Sequence, residues 1–163
     1  MQYQLSNIKN KSAVNPGGLC YFLFVPKEWV ETSIRISLID HKVLTEITLI
    51  AGKSWLKATC MQDTTGFAEP AEITPAGTKY TQSIQGVING DDQDMNTLLN
   101  GLPFYDYVVI AVDRTGQKKL IGNKTHGMRF VAEYSTGIRY AEKRAYNIAL
   151  QHESDHKAPV YPF

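Results

Sequence analysis

The C-terminal third of the chain is a series of β-prone segments, and this block constrains the fold more than any other part of the sequence. Each segment is rich in β-branched or aromatic residues, and turn residues such as Asp113–Gly116 separate them. Met128 and Phe130 share one predicted face while Arg129 lies on the other, which is typical of a strand with one buried face. The segments are Tyr105–Asp113, Lys118–Ile121, Gly127–Tyr134 and Arg144–Gln151. The block therefore predicts a mainly β fold.

The N-terminal part of the chain predicts further strands. Leu19–Val25 is continuously apolar, as a central strand covered on both faces would be. The short stretch 27–31 is expected to form a single helical turn. The other β-prone segments are 2–9, 33–38, 43–50, 54–61 and 78–88. With the C-terminal block, these segments make strands the dominant element.

One strong helix signal covers residues 91–100. Asp91 and Asp92 are good N-cap residues and suit the positive end of a helix dipole. Gly101 and Pro103 predict that the helix stops there. Helical spacing places four apolar residues on one face: Met95, Leu98, Leu99 and Leu102. The expected domain therefore packs one short helix against a sheet.

Length and charge narrow the function. The 163 residues are enough for one domain, 1–163, with its own core. Lys and Arg (17) nearly balance Asp and Glu (16), which argues against a general binder of nucleic acid or anionic membranes. The first residues have no basic region followed by an apolar one, and the longest apolar run is too short to span a bilayer. We therefore expect a soluble protein with no membrane partner, made in a cytoplasm.

The residue types that carry chemistry lie far apart in the sequence. His152 and His156 are four residues apart with Asp155 between them, but a metal site needs three or four converging ligands. The acidic run 91–94 lacks the central Gly and closing Glu of a calcium loop. Phosphate-binding loops and nucleophile elbows are absent from the sequence. The sequence predicts no catalytic residue, no metal ligand and no cofactor, and therefore no enzyme, although a carboxylate pair formed in space remains open.

Cysteines and aromatic residues are interpreted as core. Cys20 and Cys60 lie in apolar, strand-like runs without a Cys-x-x-Cys context, so we expect buried, reduced thiols. Nine Tyr, six Phe and two Trp could stack on bases, but the Lys and Arg residues are scattered between them. Alternation along the strands explains most of the aromatic residues as core.

Two segments suit contacts between copies of the chain. Residues 63–77 form a long stretch rich in Pro and apolar residues, which predicts an irregular loop. The tail 157–163 is Pro-rich, extended and ends in aromatic residues. Both could also fold back onto their own domain, and the sequence leaves these alternatives open. The candidate inter-subunit contacts are Phe67, Ile73, Tyr161 and Phe163.

Several stretches resemble small virion proteins from phages of Bacteroidetes-type hosts. The first is Gly17–Val25, a Gly-Gly pair followed by an aromatic and aliphatic strand. The others are Tyr107–Gly122, Gly127–Phe130 and Ala158–Tyr161, which are similar to the closing pattern of those proteins. Together the similar stretches cover about half of the chain. No functional residue carries over, because the family pattern marks no active site.

The order of elements also resembles the tail-tube proteins of long-tailed phages. The resemblance implies an antiparallel β-sandwich or barrel with one flanking helix, stacked as hexameric rings around a DNA channel. The implied partners are other copies of the chain and other virion proteins, with DNA only passing through the lumen. The implied location is the virion, assembled in the host cytoplasm. Thr81, Ser83 and Gln85 offer a small, polar strand face that would suit such a lumen.

Other functions remain open at this point. The same virion could use the chain as a tail-terminator, a head–tail connector or a capsid-decorating protein. A different class of protein, a carbohydrate- or nucleic-acid-binding β-module, is also compatible with the sequence.

Overall fold

Strands dominate the computed structural model, which describes residues 8, 16–90, 92–139, 141–142 and 144–163. The strand predicted over 2–9, except for Ile8, and the cap predicted at Asp91 lie outside the described residues. The helix is α1 (Gln93–Gly101), and single 3₁₀ turns cover Lys27–Trp29 and Leu102–Phe104. The strands are β1 (Leu19–Pro26), β2 (Leu56–Ala58), β3 (Gly66–Ala68), β4 (Ala71–Thr74), β5 (Gly77–Asn89), β6 (Asp106–Asp113), β7 (Lys118–Ile121), β8 (Met128–Ser135) and β9 (Ala145–Ser154). The predicted mainly β fold with one short helix is confirmed.

The strands form one antiparallel sheet in the order β2-β1-β6-β8-β9-β5-β3. Strand β7 also pairs with β6, and β4 also pairs with β5. Only two residue pairs, Asp106 with Arg129 and Tyr107 with Met128, join β6 to β8. This narrow junction divides the sheet into a first half (β2, β1, β6 and β7) and a second half (β8, β9, β5, β3 and β4).

The main hydrophobic core contains side chains from both halves of the sheet. Phe22 and Val109 come from the first half, and Ile84 and Leu150 come from the second. Helix α1 adds Leu99, which is buried in the same cluster. Because apolar side chains of both halves belong to one cluster, burial of this surface stabilises the halves together.

A second apolar cluster covers the opposite face of the first half. Val108 and Ile110 of β6 lie in it, together with Val43, Ile47 and Tyr161. All six residues from Tyr107 to Val112 are buried, so β6 is enclosed on both faces. The β-branched run in β6 is suited to this position, because strands buried on both faces do not alternate with polar residues. The strand predicted over 19–25 is confirmed as β1. Its residue Phe22 lies in the main core and Val25 lies in the second cluster, so β1 is also covered on both faces.

The strands predicted over 33–38 and 43–50 are wrong. These residues form only isolated bridges, between Ile36 and Val43 and between Val30 and Leu49. Their apolar side chains pack onto the first half of the sheet instead of joining a ladder. The alternating pattern indicates only that one side of the segment is buried. A segment that packs across a sheet also buries one side, so it shows the same alternation.

The irregular loop predicted over 63–77 is also wrong. It contains β3 and β4, which pair one after the other with the same edge of β5. Pro70 lies between the two strands and Pro75 lies in the turn after β4. Proline lacks an amide hydrogen, so it interrupts pairing where it stands but leaves adjacent residues free to pair.

Helix α1 is confirmed with a shifted boundary. The Asp92 carboxylate accepts a hydrogen bond from the Met95 amide at 2.7 Å, which identifies Asp92 as the N-cap. Gly101 was predicted as the stop, but it keeps a helical conformation and the chain continues into a 3₁₀ turn. Leu98 is 56% exposed although the spacing predicted it on the buried face. The helix rests on the sheet through a narrower apolar stripe than the spacing indicated.

The tail folds back onto its own domain, which was one of the two alternatives left open by the sequence. The Leu120 amide donates to the Pro159 carbonyl at 3.0 Å, and the Tyr161 amide donates to the Lys118 carbonyl at 2.9 Å. On the other side, the Val43 amide donates to the Val160 carbonyl at 2.8 Å. Residues 159–161 therefore lie between β7 and the segment 41–43 and satisfy backbone groups on both.

The burial of β6 can be tested with Ile110→Ala. We expect this change to lower the free energy of unfolding by roughly 2 to 5 kcal/mol, because it leaves a cavity in the second cluster. Val131→Ala is the matched control, since Val131 is 54% exposed, and its effect should stay within about 0.5 kcal/mol. Urea unfolding followed by circular dichroism measures both values. Equal losses in the two variants would contradict the described position of β6.

Candidate functional site: an uncovered sheet face

Among the described residues, no apolar layer covers one face of the second half of the sheet. Its inward side chains, such as Ile84, Ile148 and Leu150, belong to the main core. The alternate side chains of the same strands point outward and are exposed or half-buried. We call this surface the open face. Its members are Thr81, Ser83, Gln85, Val87, Arg129, Val131, Glu133, Asn147, Ala149, Gln151 and Glu153.

Strand register sets the open face in regular rows. Ser83 of β5 lies opposite Gln151 of β9, which lies opposite Arg129 of β8. The next row consists of Gln85, Ala149 and Val131, and the row after it consists of Val87, Asn147 and Glu133. The side-chain period of a strand is two, so this register fixes the whole set on one side of the sheet.

Small, neutral side chains dominate the open face. Its charged members are one arginine, Arg129, and two glutamates, Glu133 and Glu153. Lys79 Nζ lies 3.1 Å from Glu153 Oε1 at the end of the face, and 3.9 Å from Glu72 Oε2. None of its members is aromatic. The face therefore offers neither a cationic track for phosphates nor a stacking platform for bases or sugars.

The open face has two shallow depressions, of about 300 and 410 Å³. The first lies over Gln85, Val131 and Asn147, in the middle of the strands. The second lies over Arg129 and Gln151 and reaches the end of β6. Both are partly open to solvent, whereas sites for small molecules usually enclose most of the ligand.

Polar groups beside the second depression are held by contacts within the domain. Lys27 Nζ lies 3.0 Å from Asp106 Oδ2, and His152 Nδ1 lies 3.2 Å from the Gly127 carbonyl oxygen. Burial lowers the pKa of His152, which keeps its ring neutral near pH 7. His156 Nδ1 contacts the Asp155 carboxylate at 2.6 Å. In the described part of the chain, no three His, Cys, Asp or Glu side chains come together as metal ligands would.

The two cysteines differ from each other, and the prediction that both are buried is wrong for Cys20. Cys20 is exposed, at a point where the register of β1 against β6 shifts between Leu19 and Tyr21. Cys60 is half-buried, and burial raises the pKa of its thiol. A Cβ added to Gly86 would lie 2.6 Å from Cys60 Sγ, so the thiol fills the space that glycine leaves on β5.

The four candidate inter-subunit residues have different positions in the structure. Ile73 on β4 is 90% exposed, and Phe163 is 44% exposed. Phe67 on β3 is half-buried against the main core, with Lys119 Nζ 5.6 Å from its ring centre. Tyr161 is buried in the second cluster, and its hydroxyl accepts a hydrogen bond from the Ile47 amide at 3.1 Å. Tyr161 is therefore a core residue of its own chain and is no longer a candidate contact.

Part of the open face was predictable from the sequence. Thr81, Ser83 and Gln85 were identified as one polar strand face, and the structure places all three on the open face. The contribution of β9 was missed, although alternation in 144–151 already separated Asn147 and Gln151 from the apolar stripe. Alternation identifies the polar side of a strand, but only the packed chain shows that nothing described covers it.

Comparison with models of known protein families, with curated proteins and with solved structures found no match. Among the described residues, no helix has the length and apolar character needed to cross a membrane.

The two aromatic residues of the tail provide a test of its docking. We expect Tyr161→Ala to lower the free energy of unfolding by roughly 3 to 5 kcal/mol, because it removes a buried aromatic ring. Phe163→Ala should cost less, about 1 kcal/mol, because Phe163 is 44% exposed.

Chemical denaturation of dilute protein gives both values. Tyr161→Phe is a useful third variant, because it keeps the ring and leaves the Ile47 amide without its acceptor. Its cost should lie near 1 to 3 kcal/mol. If Tyr161→Ala weakened only contacts between copies and left the unfolding of dilute protein unchanged, the assignment of Tyr161 to the core would be wrong.

Proposed function

We propose that this chain is a non-enzymatic structural subunit of a phage virion, and specifically a tail-tube subunit. Copies of the chain assemble into rings, hexameric in the family it resembles, and the rings stack around a channel through which DNA passes. The observation that supports this most is the open face. The resemblance of Gly17–Val25 and Tyr107–Gly122 to small virion proteins supports it independently.

The composition of the open face suits the wall of a DNA channel. Cationic side chains would hold phosphates and slow the movement of DNA, since each neutralised phosphate adds to affinity. The face carries one arginine against two glutamates, and most of its other side chains are small and neutral. Such a wall repels phosphates slightly and gives bases nothing to stack on.

The sheet also has ends that copies can use for assembly. Among the described residues, β2 at one end and β4 at the other each pair with a single strand. Free strand edges are templates for pairing with another chain. Contact between two different ends of the same molecule is heterologous, and it produces a closed ring when the rotation between copies closes.

The related roles of tail-terminator, head–tail connector and capsid-decorating protein use the same self-association or virion contacts. A carbohydrate- or nucleic-acid-binding module is less well supported, because the open face has no aromatic member and one arginine.

Assembly of the purified protein tests the proposal directly. We expect rings or short tubes in negative-stain images, and sedimentation coefficients that rise with protein concentration, because ring closure and stacking depend on mass action. A protein that stays monomeric at high concentration, with no rings in the images, would count decisively against a tail-tube role.

The position of the open face can be tested with lysines. The triple variant Thr81→Lys, Ser83→Lys, Gln85→Lys places three cations per copy on the wall of the proposed channel. We expect its assemblies to retain linear double-stranded DNA at low salt and to release it as salt rises. The logarithm of the binding constant should fall linearly with the logarithm of the salt concentration, by about 0.9 per neutralised phosphate. Wild-type assemblies should retain little DNA under the same conditions.

The matched control carries the same added charge on exposed residues outside the open face: Leu38→Lys, Ile39→Lys, Ile138→Lys. DNA inside a channel meets only the first set of lysines, and protection of retained DNA from a nuclease distinguishes inside from outside. If both variants retained the same amount of DNA and neither protected it from the nuclease, the open face would not line a channel.

A further inference from the structure

We infer that β4 of one copy pairs with the free edge of β2 in the next copy, and that Ile73 of the first copy then occupies an apolar groove beside helix α1 of the second. This inference rests on the proposed ring assembly and names the contact that builds it. The partner is a second copy of the same chain.

Strand β4 projects from the domain as one arm of a hairpin. Residues 77–79 of β5 pair with β4, whereas the pairing of β5 with β9 ends at Tyr80 and Ser154. The hairpin therefore extends beyond the end of β9. Ile73, at its outer edge, is 90% exposed, and the unpaired backbone edge of β4 is a template for pairing with another strand.

A groove of about 180 Å³ lies beside α1 and is lined by residues from both halves of the sheet. Lys57, Ala58 and Thr59 line it on the side of β2. Phe24 forms part of its floor, and Leu98, the exposed leucine of α1, lines the opposite side. The groove is mostly apolar, and an apolar space of this kind favours an aliphatic side chain over water.

When β4 is placed beside β2 in one continuous sheet, the core-side residues of the two strands lie on the same face. In β2, Leu56 lies opposite Phe24 and Ala58 lies opposite Phe22, so both point to the core side. In β4, Ile73 lies opposite Thr78, on the same side of β5 as the core residue Ile84. Continuing one sheet from copy to copy therefore brings Ile73 next to β2 on the side where the groove opens.

Charges on the opposite side of the sheet are complementary. Lys57 of β2 points away from the core, with its Nζ 4.1 Å from the ring centre of Tyr21. Glu72 of β4 also points away from the core, because it precedes Ile73 and side chains alternate. Its nearest cation, Lys79, is 3.9 Å away and lies closer to Glu153, at 3.1 Å. Pairing β4 with β2 places Glu72 and Lys57 on the same side of the continued sheet, the side away from the main core.

Reversal of these charges tests the contact. We expect Lys57→Glu and Glu72→Lys each to abolish assembly, because like charges then face each other across the new strand pair. The double variant should assemble again. A mixture of the two single variants should also assemble, because every contact between unlike copies restores one positive and one negative partner.

A separate variant tests the insertion of Ile73 into the groove. Ile73→Asp should abolish assembly, because a carboxylate would lose its hydration among the mostly apolar residues of the groove. Ile138→Asp is the matched control, since Ile138 is 100% exposed outside the hairpin, and it should assemble like the wild type. Circular dichroism and thermal unfolding of each dilute variant show that the domain is folded. Sedimentation velocity at several concentrations gives the assembly state.

The outcomes separate this inference from the proposed function. If the wild type forms rings and both Ile73→Asp and the charge reversals still assemble normally, the β2–β4 contact is wrong while the ring-forming role stands. If the wild type forms no rings under any condition, the proposed function fails and this contact with it. Loss of assembly in each single variant, with recovery in the double variant and in the mixture, establishes the contact.

Discussion

The burial of β6 on both faces is the constraint on which the rest of the structure depends. Its side chains belong alternately to the main core and to the second cluster, so this strand joins two separate apolar layers. It is also the junction of the two halves of the sheet, through only two residue pairs with β8. Interactions on either side of β6 are therefore linked through one rigid element.

The two clusters give the two halves of the sheet different surfaces. Residues 29–49 and the tail cover the outer side of the first half, so that half is enclosed. Among the described residues no such layer covers the second half, whose outward side chains are mostly neutral and include the valines Val87 and Val131. The tail also fills the free edge of β7. Among the described strands, β2 at one end of the sheet pairs only with β1, and β3 and β4 at the other end pair only with β5.

Local sequence determined some parts of this fold better than others. The strands with one buried face and the capped helix were predictable, because their signals are periodic or depend on adjacent residues. The segments 33–38 and 43–50 were wrongly predicted as strands, because a segment packed across a sheet shows the same alternation as a paired strand. Strands β3 and β4 were missed, because Pro70 and Pro75 were interpreted as marks of a loop, although each proline lies beside a paired segment and not within it. The open face was found only on β5, since exposure depends on what the rest of the chain covers.

The docking of the tail has a consequence for synthesis. Tyr161 completes the second cluster and residues 159–161 bridge β7 and the segment 41–43. A nascent chain therefore cannot finish packing the outer layer until these residues have left the ribosome. Until then part of the second cluster stays uncovered, and transiently exposed apolar surface of this kind makes incomplete chains prone to aggregation.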